Sequence, residues 1–504
     1  MKRVKDLLYI GLPMAGVLFY LYYLHIAAID MVYSDYIRLI NSYLPDVWNP
    51  EKFFVADLLT RIPINYLERI VNVTLFGYSV TFDRVLGVMS FGVSAFIVAW
   101  YCRKQELSLV WYTAIMVFMF SLNKWEMLYN GTGWAHFFAF ACFFYHYVVV
   151  DQVYQKGAKK RAFILLLLLP AVITIGIAGP YCAIYSMTLI LTYSFMYLRA
   201  WWMVSKNTQN ARNKKDTWKS EDKKYGLTGK SLIILLASVM FPLFAYIWSN
   251  SQAVYEHAGA VEGSLLGTFF QEPEFFLKFL LKAFASVVFG VEFISRRLGE
   301  MPDMAWYLLG FLVMAAYVLA VWMNVYYRIY EKTLFPLMLL AGGGMNHLIV
   351  MVSRWIFMKD TYGMSSRYAL QYQVGILGIL LTFGLVWKLR SVQREMEGQK
   401  KTQSEQAEAG RSRKLSSNRC VNGWCCILAV FVSLVILTGN ILTTVEEFDF
   451  GQHRKNHNLE VREILLNFEQ EDEAVLRQKL EYNKPGTKEA LRILKENGWN
   501  IFKE

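Results

Sequence analysis

Residues 7–29 read LLYIGLPMAGVLFYLYYLHIAAI, a run without Asp, Glu, Lys or Arg, and the polar stretch Asp30-Met-Val-Tyr-Ser34-Asp35-Tyr36-Ile37-Arg38 follows at once. About 20 mostly apolar residues are enough for a helix to cross the hydrocarbon core of a bilayer, so the run is expected to span. Lys2, Arg3 and Lys5 precede it. The excess of Lys and Arg on cytoplasmic loops then predicts a cytoplasmic N-terminus and puts Asp30 outside. The run is too long for a signal-peptide core and no small-residue cleavage site follows it, so it is expected to stay in the membrane.

The same pattern recurs along the 504 residues. The chain is 55% hydrophobic and 18% charged, with a mean hydropathy of +0.29, against roughly 25% charged residues in soluble domains. Its net charge of +12 would suggest nucleic acid in a soluble protein. Here the basic residues gather in short loops between apolar runs, and no nucleic acid partner is expected. The six cysteines lie in or beside apolar runs, so no disulfide framework is implied.

Charge bookkeeping gives an all-α polytopic membrane protein, a helical bundle of about 11 transmembrane helices with extracytoplasmic loops and a short helical C-terminal tail. Residues 1–442 form the transmembrane module. Its first outer loop is 30–81, and its cytoplasmic loops are 205–230 and 388–421, both rich in Lys and Arg. The stretch 275–293 is apolar enough to cross, but a crossing there would put the basic loop 388–421 outside. It is therefore expected to be a re-entrant or interfacial helix. Residues 443–504 make an extracytoplasmic tail with helical repeats at 459–480 and 488–496, a turn at 483–486, and Thr487 capping the second helix. The tail is either a solvated appendage or a lid. The expected location is the cell membrane, with the N-terminus cytoplasmic and the C-terminus outside.

Charged groups at mid-membrane depth usually mark a transport pathway. The expected spans hold almost none; the carboxylates and cations sit at outer helix ends instead. In the first outer loop, Asp30 and Asp35 are about 140° apart on a helix and cannot share a face. Asp35 and Arg38 do share one, either as a surface salt bridge or with Asp35 as a base above the bilayer. Asp57 and Arg61 lie further along the same loop. After the third span, Glu126 and Asn130 flank a turn that ends in Gly131 and Gly133, either a plain tight turn or a backbone that approaches a ligand. His347 sits on an apolar helix, where a histidine is more often a core residue than a ligand. Arg354, Lys359 and Arg367 lie in a late outer loop; Arg suits bidentate phosphate binding, and anchoring to lipid headgroups is the plainer reading.

These residues together resemble the C-type (GT-C) glycosyltransferase superfamily, and within it bacterial multi-pass members. The features are the acidic-aromatic motif after span 1 (Ser34-Asp35-Tyr36-Ile37-Arg38), Trp48-Asn49, the Glu126/Asn130-Gly131 loop, Arg367-Tyr368 opening a late span, and the closing run from Leu491 to Phe502. Relatives often carry a doubled acid where this chain has Ser34-Asp35, and an acid-His-Arg run where it has only Asp57 and Arg61. The resemblance implies a GT-C-like bundle that takes a polyprenyl-phosphate-sugar donor from the membrane lipid. The sugar would pass to a cell-envelope glycan or teichoic acid acceptor, with inversion. Asp35 would be the catalytic base. Asp30, Arg38, Asp57, Arg61, Glu126, Asn130, His347, Arg354, Arg367 and Tyr368 would bind substrate. No cofactor is firmly implied, since a divalent cation serves some relatives and not others. A transporter or flippase of lipid-linked glycan, and a non-catalytic envelope assembly protein, are the alternative readings.

Overall fold

The computed structural model describes residues 2–51, 62–210, 227–251, 261, 263–404 and 414–503, and those residues are helical with no strand among them. Nine segments among them are helices long and apolar enough to cross a membrane: Lys5–Ala27, Val80–Lys104, Gly131–Lys156, Gly179–Trp202, Gly229–Asn250, Asp303–Tyr326, Phe335–Phe357, Ser366–Arg394 and Gly423–Leu466. The chain is a helical polytopic membrane protein. Leu18, Phe241, Phe244, Leu308 and Val318 stand exposed on these helices, as side chains facing lipid do.

Local chemistry sets several helix starts. Ser79 accepts from the amide of Phe82, Ser108 from Trp111 and Thr228 from Ser231, each satisfying an amide that the first helical turn leaves free. The segment Ser366–Arg394 is the hub of the bundle: 94% of its apolar window is buried, against 28% for Lys5–Ala27. What stands at its N-terminal end therefore stands near the middle of one end of the bundle.

Two of the expected crossings are short helices. The third is Leu109–Met119, 11 residues, or about 17 Å of helix at 1.5 Å per residue. The other is the helix Lys160–Gly176, 17 residues, which the turn at Gly179-Pro180 joins to the following span. The stretch 275–293, expected as one helix, is two: Pro273–Ala285 and Val291–Arg297. Gly290 separates them; its amide donates to Thr443 Oγ1 at 3.0 Å. Lys282, 4% exposed, pairs with Asp303 at 2.9 Å and Asp360 at 2.8 Å, while two residues on Phe284 packs against His347.

The tail also departs from expectation. The last span continues without a break as the helix Lys414–Leu466, so 442 marks no boundary, and the repeat at 459–480 splits into the end of that helix and Glu473–Lys479. The final helix, Thr487–Glu496, has Gly486 at its N-cap, with φ of 101°. Thr487 does not cap it: the Glu473 carboxylate accepts from the amides of Gly486, Thr487 and Lys488 at 3.1, 2.7 and 3.0 Å. The tail is no solvated appendage. Leu465, Leu476, Leu480, Leu491 and Leu494 form a buried core of their own with Val32, Ile37 and Ile40 of the first loop. The first loop and the tail thereby make one cap over one end of the bundle. Arg103, Lys156, Lys332 and Lys388 lie at the opposite end, where Arg103 pairs with Asp6 and Lys388 with Glu106.

Candidate functional site

Between the cap and the bundle lies a cavity of ≈ 1570 Å³. It is walled by the first loop, by the starts of Gly131–Lys156 and Ser366–Arg394, by the end of the helix Phe335–Arg354, and by residues 474–484 of the tail.

Asp35 is the first residue of the helix Asp35–Tyr43 and lines this cavity. Ser34, just before it, has φ 50° and ψ −120°, a conformation that residues with a Cβ rarely adopt. It is held there by the cap, because its amide donates to Leu480 O at 2.6 Å. Among the described residues the Asp35 carboxylate has no hydrogen-bond or ion-pair partner. Its charge nevertheless acts on Arg38, His136 and Arg367. The result is a carboxyl group that faces a large cavity shared with Arg38, Arg354 and Arg367 and makes no hydrogen bond to another described residue.

Arg367 is positioned from behind. Its Nε donates to Glu126 Oε1, and Ser366 Oγ donates to Glu126 Oε2 at 2.9 Å. Glu126 itself does not line the cavity; it acts on the site through Arg367. Arg354, also in the wall, lies 5.9 Å from the ring centres of both Tyr362 and Tyr368, within cation–π range. Lys359 and Tyr368 complete this cationic face. Glu292, at the start of Val291–Arg297, lines the cavity as well, and burial pushes its carboxyl above the usual range.

A second acidic pair stands in the wall that sequence reading missed. Asp83 is 4% exposed; its Oδ2 accepts from Tyr36 Oη at 2.7 Å and its Oδ1 from Asn72 Nδ2 at 2.7 Å. Glu68 is its neighbour, and burial pushes the Glu68 carboxyl above the usual range against the pull of Asp83, Arg69, Asn72 and Trp134. Gly131 makes room for this pair. A Cβ there would lie 2.1 Å from Tyr36 Oη and 3.0 Å from Asp83 Cβ. That close approach is the reason for a glycine after Asn130. Asn130 lines the cavity, with Oδ1 accepting from Thr132 N and Oγ1.

Other expected ligands stand elsewhere. Asp30 accepts from Ser79 Oγ at 2.8 Å and from the amide of Thr81 at 3.1 Å, and does not line the cavity; it fastens the first loop to the second span. His347 is fully buried between Phe284 and Tyr372, with ring centres at 3.8 and 3.9 Å, below the cavity rather than in its wall. Asp57 and Arg61 lie outside the described residues. Arg38 lines the cavity as its helical spacing from Asp35 predicts, while Asn41 turns to the tail and donates to Gly486 O at 2.9 Å. No group of three or more His, Cys, Asp or Glu converges on a point among the described residues.

Compared with protein families, with curated proteins and with solved structures, the chain matches none.

Proposed function

We propose that this protein is a membrane glycosyltransferase of the GT-C type. It would move a sugar from a polyprenyl-phosphate donor to a hydroxyl of a cell-envelope glycan or teichoic acid on the outer face of the cell membrane. One observation carries the reading: an unpartnered carboxylate, Asp35, faces the same cavity as Arg354 and Arg367 at one end of a membrane bundle. The basic opposite end supports a cytoplasmic assignment for that end, and so an external cavity.

In this reading Asp35 takes the proton of the acceptor hydroxyl as its oxygen attacks the anomeric carbon. The bond from that carbon to the phosphate oxygen breaks, and the electron pair leaves with the polyprenyl phosphate. Arg367, held by Glu126, and Arg354 stabilise the charge that grows there. Attack opposite the leaving group inverts the anomeric centre.

The test is release of free polyprenyl phosphate by the purified protein from a panel of short-chain polyprenyl-phosphate sugars, with an envelope extract as acceptor. Release from one donor, abolished by Asp35→Asn, supports the reading. A folded protein that releases nothing from any donor turns it down in favour of transport or assembly of lipid-linked glycans.

A further inference from the structure

The cavity lies between the cap and the bundle, and the transfer step uses cations of the bundle side alone, Arg354 and Arg367. The cap side carries cations of its own. The helix Asp35–Tyr43 is pinned along the tail at both ends: the amide of Ser34 donates to Leu480 O at 2.6 Å, and Asn41 Nδ2 donates to Gly486 O at 2.9 Å. Arg38 stands on this helix between the two pins, and Arg477 and Lys484 stand on the stretch of tail that the helix runs beside. All three line the cavity. The Arg477 guanidinium is fixed in place by Nη2 donating to Asn483 O, and among the described residues no carboxylate forms an ion pair with it. Arg69, 6% exposed, adds to the same side, its guanidinium 3.8 Å from the ring centre of Tyr43. The first loop and the tail also bring Asp35, Glu68 and Glu481 to the wall, so four cations face three carboxyls. Burial works against the charged form of Glu68, and the excess on the cap side is positive.

A cleft lined by one sign of charge concentrates ligands of the other sign, and the planar fork of Arg matches the oxygens of a phosphate or a carboxylate. Arg38 follows Asp35 by three residues, or about 4.5 Å along the helix. An anion held at Arg38 therefore stands beside the hydroxyl whose proton Asp35 would take. In an inverting attack the acceptor and the leaving phosphate lie on opposite sides of the anomeric carbon. Cations of the bundle side then serve the donor, and those of the cap side serve the acceptor. We propose that Arg38, Arg477 and Lys484 form an anion subsite for the acceptor, so that the chain receiving the sugar carries a phosphodiester or carboxylate beside its attacking hydroxyl. This deepens the glycosyl-transfer reading and rests on it. It also gives the tail a task besides closing the cavity, since two of the three cations belong to it.

Calorimetric titration of the full-length protein in an uncharged detergent tests it without needing turnover. The probes are a short glycerol phosphate oligomer, a short hexuronate oligomer, and a neutral glucose oligomer of the same length. Wild type should bind at least one of the anionic probes, more weakly as salt is raised, and should not bind the neutral one comparably. Arg477→Gln and Lys484→Gln should each weaken that binding by about tenfold, the loss expected for a hydrogen bond to a charged group. Only variants with the wild-type melting temperature are scored, and Lys484→Gln, at an exposed position, decides alone should Arg477→Gln fail to fold. Saturating short-chain polyprenyl phosphate should leave the anionic probe bound, because it occupies the bundle side. Displacement by it would assign the cap cations to the donor, and displacement by phosphatidylglycerol micelles would assign them to membrane headgroups; either result overturns the proposal. Binding of neither anionic probe to folded wild type, equal binding of the neutral oligomer, or unchanged binding in the folded variants would overturn it as well. Failure of polyprenyl phosphate release would leave this readout standing, and failure to bind an anion would leave transfer to a neutral acceptor standing, so the two proposals fail separately.

Discussion

The amide of Ser34 donates to the carbonyl of Leu480 at 2.6 Å, so the residue before Asp35 is held by the C-terminal tail. The tail is tied down further along by Asn500. Its side chain accepts from the amide of Val32 at 3.1 Å and donates to Tyr78 O at 3.0 Å, on both flanks of the first loop. The base proposed for the reaction therefore depends on residues from the far end of the chain.

Asn500→Ala would leave the buried amide of Val32 and the carbonyl of Tyr78 without these partners, at a cost of about 2–4 kcal/mol. The expected outcome is a lower melting temperature in detergent and a loss of polyprenyl phosphate release. Release at the wild-type rate with the melting temperature lowered would show that the tail stabilises the cap without positioning Asp35.

Gly131→Ala would put a Cβ 2.1 Å from Tyr36 Oη, and overpacking of this kind costs about 1–3 kcal/mol. The ring of Tyr36 must move, and its bond to Asp83 breaks. Lower stability is expected, and Tyr36→Phe in the same background should recover part of it, because the clashing oxygen is then gone. No recovery in a thermal melt would mean that the strain lies in the backbone.

Glu126→Gln removes the charge behind Arg367 and leaves the fold intact, since the guanidinium stays partly exposed. A misplaced catalytic group can cost about a hundredfold in rate, so release should fall while the protein still inserts and melts normally. Arg367→Lys should fall as well, because an ammonium cannot reproduce the planar fork. Wild-type rates in both variants would remove Arg367 from the site.

Nine of the about 11 expected spans were legible because hydropathy is a local signal that does not depend on the fold. Asp35, Arg38, Arg354 and Arg367 were legible for a related reason: each is a charge at the end of an apolar run, where little but the surface or a site can hold it. Asp83 escaped notice because it opens an apolar span and reads as that helix's acidic first turn; Glu68 looked like one charge among many in a long loop. Nothing within a few residues of Asp83 announces that Tyr36 and Asn72 will meet it. The tail failed in the same way. Its leucine repeat shows a helix with an apolar face, but not that Val32 and Ile37 of the first loop cover it. His347 was ambiguous because a histidine stacked between two rings and a histidine at a ligand have the same neighbours in sequence.

Glu473 supplies a pH dependence with a definite sign. Three amides at the start of the helix Thr487–Glu496 donate to its carboxylate. Though partial burial works against them, these bonds hold the Glu473 carboxyl below its usual range. A carboxyl lowered on folding stabilises the folded state at pH values above its unfolded pKa, about 4.3. That stability is lost as the pH falls through the lower, folded value. Glu473→Gln keeps the shape and removes the charge. At neutral pH it should cost about 1 kcal/mol, the usual worth of a helix cap. The gap between the two melting temperatures should hold steady above about pH 5 and close as the pH falls below about 4. A gap that stays constant down to pH 3 would show that the carboxylate's charge plays no part in docking the tail.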